Sequence, residues 1–181
     1  KIEFQYTEIN DSMKKVLRRE GKKYLLNLYA IYWSDNNYYL IGAHDNHDNL
    51  VNYRLDRIVN LTMTDEKTID AKEKVGVNPE MMIQDYIEKS VDHFQGELIR
   101  VEVEYEPGQA ANAILYDFAG GNIRVRKLEN GHCVASFQKM DSVTLVGWFM
   151  QYANIYKVLA PRELTDSIKK RINEVADKYI I

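Results

Sequence analysis

The first 64 residues break into five or six short strand-like segments separated by turn signals. This spacing restricts the fold more than any other feature of the chain. Ile2-Glu-Phe-Gln-Tyr6 alternates apolar and polar residues, as a half-buried strand does. Residues 14–19 and 22–33 read as two extended runs joined by a hairpin turn at Glu20-Gly21. Residues 34–37 form a turn cluster, residues 38–42 a strand of aromatic and branched side chains, and residues 44–49 a polar loop. Residues 50–55 and 58–64 supply the last strands. So many short strands in so little chain predict a small barrel, because closure removes exposed edges.

The remainder alternates between helix and strand patterns. Residues 65–77 are charged, lack clear periodicity and read as a linker. Asn78-Pro79-Glu80 is a helix start, with Asn as cap and Pro in the first position. Met82, Tyr86, Ile87 and Phe94 give a partial helical stripe, and Gly96 a stop. From residue 97 the pattern predicts a strand over 98–105, a helix over 107–118, a strand over 122–128, a turn at 129–131 and a strand over 132–138. Ser142 then caps a helix reaching 153, residues 155–159 form a strand, and Pro161 opens a last helix. This order, βαββαβ plus a terminal helix, is the ferredoxin-like arrangement. The expected class is α+β, with a barrel over 1–64, a linker and helix over 65–96, and a ferredoxin-like domain over 97–181.

Composition removes several classes. With 45% hydrophobic residues the chain is not disordered, and 9 Gly and 3 Pro exclude a low-complexity repeat. No run approaches the ~18 apolar residues of a membrane span. The single cysteine, Cys133, excludes an internal disulfide framework and a multi-cysteine metal site, and it reads as a buried structural thiol. A reducing cytoplasm is consistent with that. The net charge of -3 does not describe a generic nucleic-acid binder. Residues 1–63 hold nine basic and eight acidic groups, so any grip on phosphate comes from a local cluster. No secretory leader pattern opens the chain; Lys1 runs straight into a strand-like segment, as in a fragment or a processed chain.

The most distinctive segments are Asn37-Tyr-Tyr-Leu-Ile-Gly42 and Asn52-Tyr-Arg-Leu-Asp-Arg-Ile58. Here the sequence resembles the WYL-domain family of bacterial transcriptional regulators. Tyr38-Tyr39-Leu40 stands where that family has Trp-Tyr-Leu, and Tyr53 to Ile58 matches its aromatic-Arg-x-Asp-Arg-Ile block. Asn27-Leu-Tyr29 followed by Trp33 looks like its Pro-Tyr segment, with Leu28 replacing the usual Pro. The helix at 79–94, the strand with Val101 and Val103, Trp148 and Val158-Leu-Ala-Pro161 resemble the C-terminal extension of such regulators. The resemblance implies an Sm-like or SH3-like barrel that binds nucleotides or short single-stranded nucleic acid. It also implies a homodimer, and a helix-turn-helix part, missing here, that alone meets duplex DNA. One departure is Val51, where many members carry a further Arg.

The residues suit that role. Arg54 and Arg57 would face opposite sides of a continuous strand, but a short 3₁₀ turn would bring them together as two phosphate-binding forks, with Asp56 between. Tyr29, Trp33 and Tyr39 offer flat surfaces for bases, and His44 a hydrogen bond. Competing readings stand beside these. The Arg54–Arg57 run also reads as a structural ion-pair turn, and Trp33 and Tyr38 as core. Lys14, Lys15, Arg18, Arg19, Lys22 and Lys23 read as a solvated basic hairpin, or as a ribbon extending the grip along a strand.

His44 and His47 lack further ligands at a recognised spacing, so neither a metal nor another cofactor is expected. Gly120-Gly121 reads as a helix stop and not a phosphate loop. No run characteristic of a hydrolase, zinc protease or P-loop occurs, and no catalysis is expected. The function expected first is effector sensing; the alternative is an assembly module in which the Arg pair is structural.

Overall fold

The alternation in Ile2–Ile9 becomes strand β1, which buries Ile2, Phe4 and Tyr6 and turns Glu3 and Gln5 the other way. The computed structural model describes residues 1–34, 36–76, 79–91, 94, 96–120 and 122–180, those from 79 to 83 by backbone alone. The expected cap at Asn78 and the side chain of Met82 lie outside the described residues, as do Asp35 of the turn cluster and Gly121. The chain forms two compact units, Lys1–Gln84 and Asp85–Ile181. The class is mixed α+β: a curled antiparallel sheet, then a second sheet with helices.

In the N-terminal unit, β1 is followed by β2 (Lys15–Leu17), β3 (Lys23–Ser34), β4 (Asn37–Ala43), β5 (Val51–Arg54) and β6 (Ile58–Met63). The sheet order is β2-β1-β3-β4-β5, and β6 pairs with β1. The hairpin expected between residues 14–19 and 22–33 does not form. β2 pairs with the end of β1, at Thr7 to Ile9, while β3 pairs with its start, at Ile2 to Gln5. The eight residues of β1 seat both runs in succession, and a 3₁₀ turn at Arg18–Gly21 carries the chain from one to the other. The sheet curls into a half-barrel, and among the described residues no ladder joins β5 to β6 or β1. Side chains span that gap instead. The Arg54 amide donates to Tyr6 Oη at 3.2 Å, and Thr7 Oγ1 donates to the Arg57 carbonyl at 3.0 Å.

Phe4 fills the centre of this unit, stacked on Tyr24 at 5.7 Å and edge-on to Tyr53 at 4.9 Å, with Leu26 and Leu40 beside it. Gly42 lets β4 pass close to β3: a Cβ there would lie 2.2 Å from the Asn27 carbonyl oxygen. The segment read as a linker carries a short helix, α1 (Ala71–Val75), capped by the Asp70 carboxylate, which accepts from the Lys72 and Glu73 amides. Asn27, fully buried on β3, fastens this segment to the sheet. Its Nδ2 donates to the Ala43 carbonyl at 3.0 Å and to Asp45 Oδ1 at 2.7 Å, and its Oδ1 accepts from the Ile69 amide at 2.8 Å.

The C-terminal unit takes in the end of α2 (Pro79–Lys89). The stripe expected to reach Phe94 stops earlier, because the helix ends at Lys89 and Phe94 is exposed. Gly96 serves a close approach rather than a helix stop: a Cβ there would lie 1.6 Å from the Asp141 carbonyl oxygen. Then follow β7 (Leu98–Tyr105), α3 (Gln109–Ala119), β8 (Arg124–Lys127), β9 (Cys133–Met140), α4 (Val143–Gln151), β10 (Tyr156–Ala160) and α5 (Arg162–Tyr179). The antiparallel sheet has order β10-β7-β9-β8.

Val101, Val103, Ala135 and Phe137 pack against Leu115, Leu145 and Phe149 from the helices, and Cys133 is buried in the same core. The alternate residues of β7 and β9 face the opposite side. Ser142 Oγ accepts from the Leu145 amide at 3.2 Å at the start of α4. Ser142→Ala is expected to cost this unit about 1 kcal/mol, measurable by urea denaturation. Among the described residues no helix is long and apolar enough to cross a membrane.

Candidate functional site

The 3₁₀ turn expected between the two arginines is present at Leu55–Arg57. Arg54, however, is committed within the protein. Its Nε donates to Asp56 Oδ1 at 3.0 Å, and Nη2 reaches Asp56 Oδ2 at 3.1 Å and Asn37 Oδ1 at 2.7 Å. These bonds hold the Asp56 carboxyl below its ordinary range and raise the Arg54 guanidinium above its own. Lys15 Nζ adds a bond to the Asp56 carbonyl at 2.9 Å. Arg57 makes no ion pair among the described residues. The cluster therefore has the geometry of a braced turn carrying one uncommitted guanidinium.

The aromatic candidates separate by strand register. Tyr39 stands opposite Tyr32 on β3 and Arg54 on β5, and it is buried, with its ring stacked on Tyr32 at 5.2 Å. Tyr29 spends its hydroxyl on the Ile69 carbonyl at 3.1 Å, and burial raises its pKa. Trp33, read as a base platform or as core, and Tyr38, read as core, are 57% and 52% exposed. They pair across the end of the β3–β4 hairpin, edge to face at 4.7 Å. The hairpin runs past the core that Leu40 and Tyr53 fill, so its last residues have nothing to bury against.

His44 is also engaged. Nδ1 lies 2.7 Å from the Leu25 carbonyl, which only accepts, so that nitrogen carries a proton. Nε2 lies 2.8 Å from Tyr53 Oη. Burial pushes the Tyr53 pKa up to about 12, so its hydroxyl stays protonated.

His44, Tyr53 and Val51 belong to the wall of a cavity of about 390 Å³ that the sequence did not reveal. Arg19, Lys22 and Lys23 line its other side, and the loop with Asp45 and His47 completes it. The basic run is thus divided by its surroundings. Arg18 lies 3.6 Å from Glu8, Lys15 turns to Asp56, and Lys23 pairs with Glu3 at 2.8 Å. Arg19 and Lys22 have no acidic partner among the described residues; Lys22 Nζ sits 5.9 Å from the centre of the Tyr24 ring. Lys14 is exposed and lies away from this lining. Arg19 and Glu20 both hold positive φ, at 50° and 55°, a conformation that costs about 1 kcal/mol or more per residue and shapes the cavity rim.

Asp45 faces these cations already claimed. Lys1 Nζ donates to it at 2.7 Å and Asn27 at 2.7 Å, and both bonds hold its pKa low. One lining residue is anomalous. Tyr24 is 7% exposed, lines the cavity, and its Oη is buried with no hydrogen-bond partner. A buried hydroxyl left unmet costs about 1–3 kcal/mol. Tyr24 was not legible as a site residue, because alternation along β3 shows that it is buried but not that its hydroxyl is orphaned. Among the described residues no group of His, Cys, Asp and Glu is arranged to hold a metal ion.

Comparison with known proteins adds the family context. No curated protein matches the chain. Among solved structures, proteasome accessory factor B/C (PafBC) of Arthrobacter aurescens aligns at 17% identity with a TM-score of 0.40. The alignment covers 99% of this chain and 25% of that one, so the chain spans about a quarter of its length. Residues 1–63 match the WYL domain model and residues 97–176 the WCX domain model. The chain therefore carries a WYL domain followed by a WCX domain.

Proposed function

We propose that this chain is the effector-sensing region of a bacterial transcriptional regulator. The cavity beside Arg19 and Lys22 receives a phosphate-bearing ligand, a nucleotide or a short single strand. The observation that carries this reading is a cavity lined by Arg19 and Lys22, which have no acidic partner among the described residues, and by Tyr24, whose buried hydroxyl has no hydrogen-bond partner. The Arg19 guanidinium and the Lys22 ammonium neutralise the charge of a phosphate group. Trp33 and Tyr38 present exposed rings on which bases of a longer strand stack. Val51 on the wall means that the cavity takes its positive charge from the 3₁₀ turn at Arg18–Gly21 and the start of β3 instead of from β5.

In this reading the half-barrel is Sm-like and the second unit ferredoxin-like. The protein works as a cytoplasmic homodimer, and binding shifts its population toward one arrangement that a DNA-binding part of the regulator reads. Its role is binding and not catalysis. Arg54 braces the turn before β6. A second reading, a ligand-free assembly module, draws on α5. Its buried Leu164 continues into exposed Ile172, Val175 and Tyr179 at helical spacing.

Fluorescence anisotropy separates the two. The panel is short DNA and RNA single strands with and without a 5′-phosphate, together with mono- and dinucleotides, at two salt concentrations. Wild type is expected to bind saturably and more weakly at high salt. Arg19→Ala with Lys22→Ala is expected to weaken binding at least tenfold while leaving the fold intact. A folded wild type that binds nothing on the panel favours the assembly module.

A further inference from the structure

The second sheet carries three arginines, Arg100, Arg124 and Arg126, that make no ion pair among the described residues, and two of them share one hollow. Arg100 on β7 stands opposite Gln138 on β9, and Arg124 on β8 stands opposite Ser136, two residues along the same strand. β9 lies between β7 and β8, so the two Arg Cα atoms are about 12 Å apart from strand spacing and rise alone. Two guanidinium side chains reach across that gap from either side. Between them is a concavity of about 400 Å³ lined by Arg100, Asn122, Arg124, Ser136 and Gln138. It belongs wholly to the C-terminal unit and is separate from the cavity at Tyr24.

Charged groups surround it. On the same side of the sheet His132 meets Glu104 at 3.1 Å, and Lys157 approaches Glu104 at 4.0 Å. Arg100 and Arg124 make no ion pair among the described residues, although Glu102 is two residues from Arg100 on β7. Val101 and Val103 face the helix-covered core, which leaves the alternate positions of β7 to the open side. The lining thus offers two planar cationic forks, two side-chain amides and a hydroxyl, and no carboxylate. Such donors on both sides of one hollow match the several acceptor oxygens of a phosphate group.

We propose that Arg100 and Arg124 form a second anion site, on the open face of the WCX sheet, which takes the phosphate group of a small phosphomonoester or diphosphate. The volume leaves room for the group that bears the phosphate.

The test is amide chemical-shift mapping of the full chain by NMR, with inorganic pyrophosphate, thymidine 5′-monophosphate and unphosphorylated thymidine at constant ionic strength. The two phosphates are expected to shift the amides of residues 122–124 and 136–138 saturably, and thymidine to leave them unmoved. Pyrophosphate alone identifies a site for free phosphates; the nucleotide binding more tightly identifies a site that also reads its bearer. Arg100→Ala with Arg124→Ala is expected to weaken the response at those amides at least tenfold, and Arg19→Ala with Lys22→Ala to leave it unchanged. Both arginines are surface residues with no ion pair among the described residues, and an otherwise unaltered amide spectrum shows that the double variant is folded. Absence of the shifts in wild type, equal shifts with thymidine, or full shifts in the Arg100/Arg124 variant would each overturn the assignment.

Discussion

Asn27→Leu is expected to destabilise the N-terminal unit by about 3 kcal/mol. Leucine keeps the branched outline of asparagine and is larger, so no void forms, and the loss comes from the missing hydrogen bonds with some overpacking. Asn27 is fully buried and uses both of its amide hydrogens and its carbonyl. Without it, the Ala43 carbonyl loses this donor, the Ile69 amide loses its acceptor, and Asp45 keeps only its bonds to cations at the surface. Asn27→Asp separates the contributions. It retains an acceptor for Ile69 but sets a carboxylate against the Ala43 carbonyl and Asp45, so at neutral pH it is expected to cost more than leucine does. Urea denaturation of the variants gives the magnitude, and hydrogen exchange at the Ile69 amide gives the location. A leucine variant with wild-type stability and a protected Ile69 amide would show that the fastening role is wrong.

The second large effect is a rise in stability of the C-terminal unit with pH. Lys139 on β9 is 4% exposed, its ammonium bonded to the Glu88 carbonyl and 4.7 Å from the centre of the Phe118 ring. Burial lowers its pKa to about 8 from 10.5. Below pH 8 both folded and unfolded chains hold the proton, and the cost of burying the charge is fully present. Between pH 8 and 10.5 the unfolded chain holds the proton and the folded one has released it, so stability climbs with pH. The gain is on the order of 3 kcal/mol.

Tyr156 then acts in the opposite sense. Burial raises its pKa to about 12 from 10.0, so above pH 10 the unfolded chain ionises first and stability falls. The result is a maximum near pH 10. Trp148, stacked on Phe118 at 3.6 Å, reports this unit in a Trp33→Phe background. Lys139→Met is expected to abolish the climb and to match or exceed wild-type stability at pH 7, because an apolar chain avoids the buried charge. A climb that survives in the methionine variant would assign it to another group.

Much of the architecture was legible because burial follows period. Val101, Val103 and Phe137 announce a covered sheet face, and Pro161 and Ser142 mark helix starts in the places where α5 and α4 begin. Partner choice was not legible. Nothing in residues 14–33 says that β2 will add to the end of β1 while β3 takes its start, since both pairings satisfy the same alternation. The same limit left Trp33 open between base platform and core, and put Tyr38 in the core. Aromatic composition indicates core, but how far a hairpin outruns its core is a property of assembled length. Arg54, Arg57, their 3₁₀ turn and an ion pair with Asp56 were visible as one reading of the cluster, whereas the bond from Arg54 to Asn37 depends on another strand meeting the turn. The cavity at Tyr24 is a feature of curvature, which joins residues 19–25, 44–47, 51 and 53 without any local signal.

Cys133 gives the molecule a clock in one half only. It is 3% exposed, opposite Tyr105 at the start of β9, and residues 1–84 contain no other thiol. A thiol reagent therefore reacts only when the second unit opens, and the rate reads the free energy of that opening without interference from the first. Adding a ligand that seats beside Tyr24 turns the clock into a meter of transmission. A slower reaction at Cys133 means that binding energy gained in residues 1–84 has reached the second sheet; an unchanged rate means that it has stayed where it was gained.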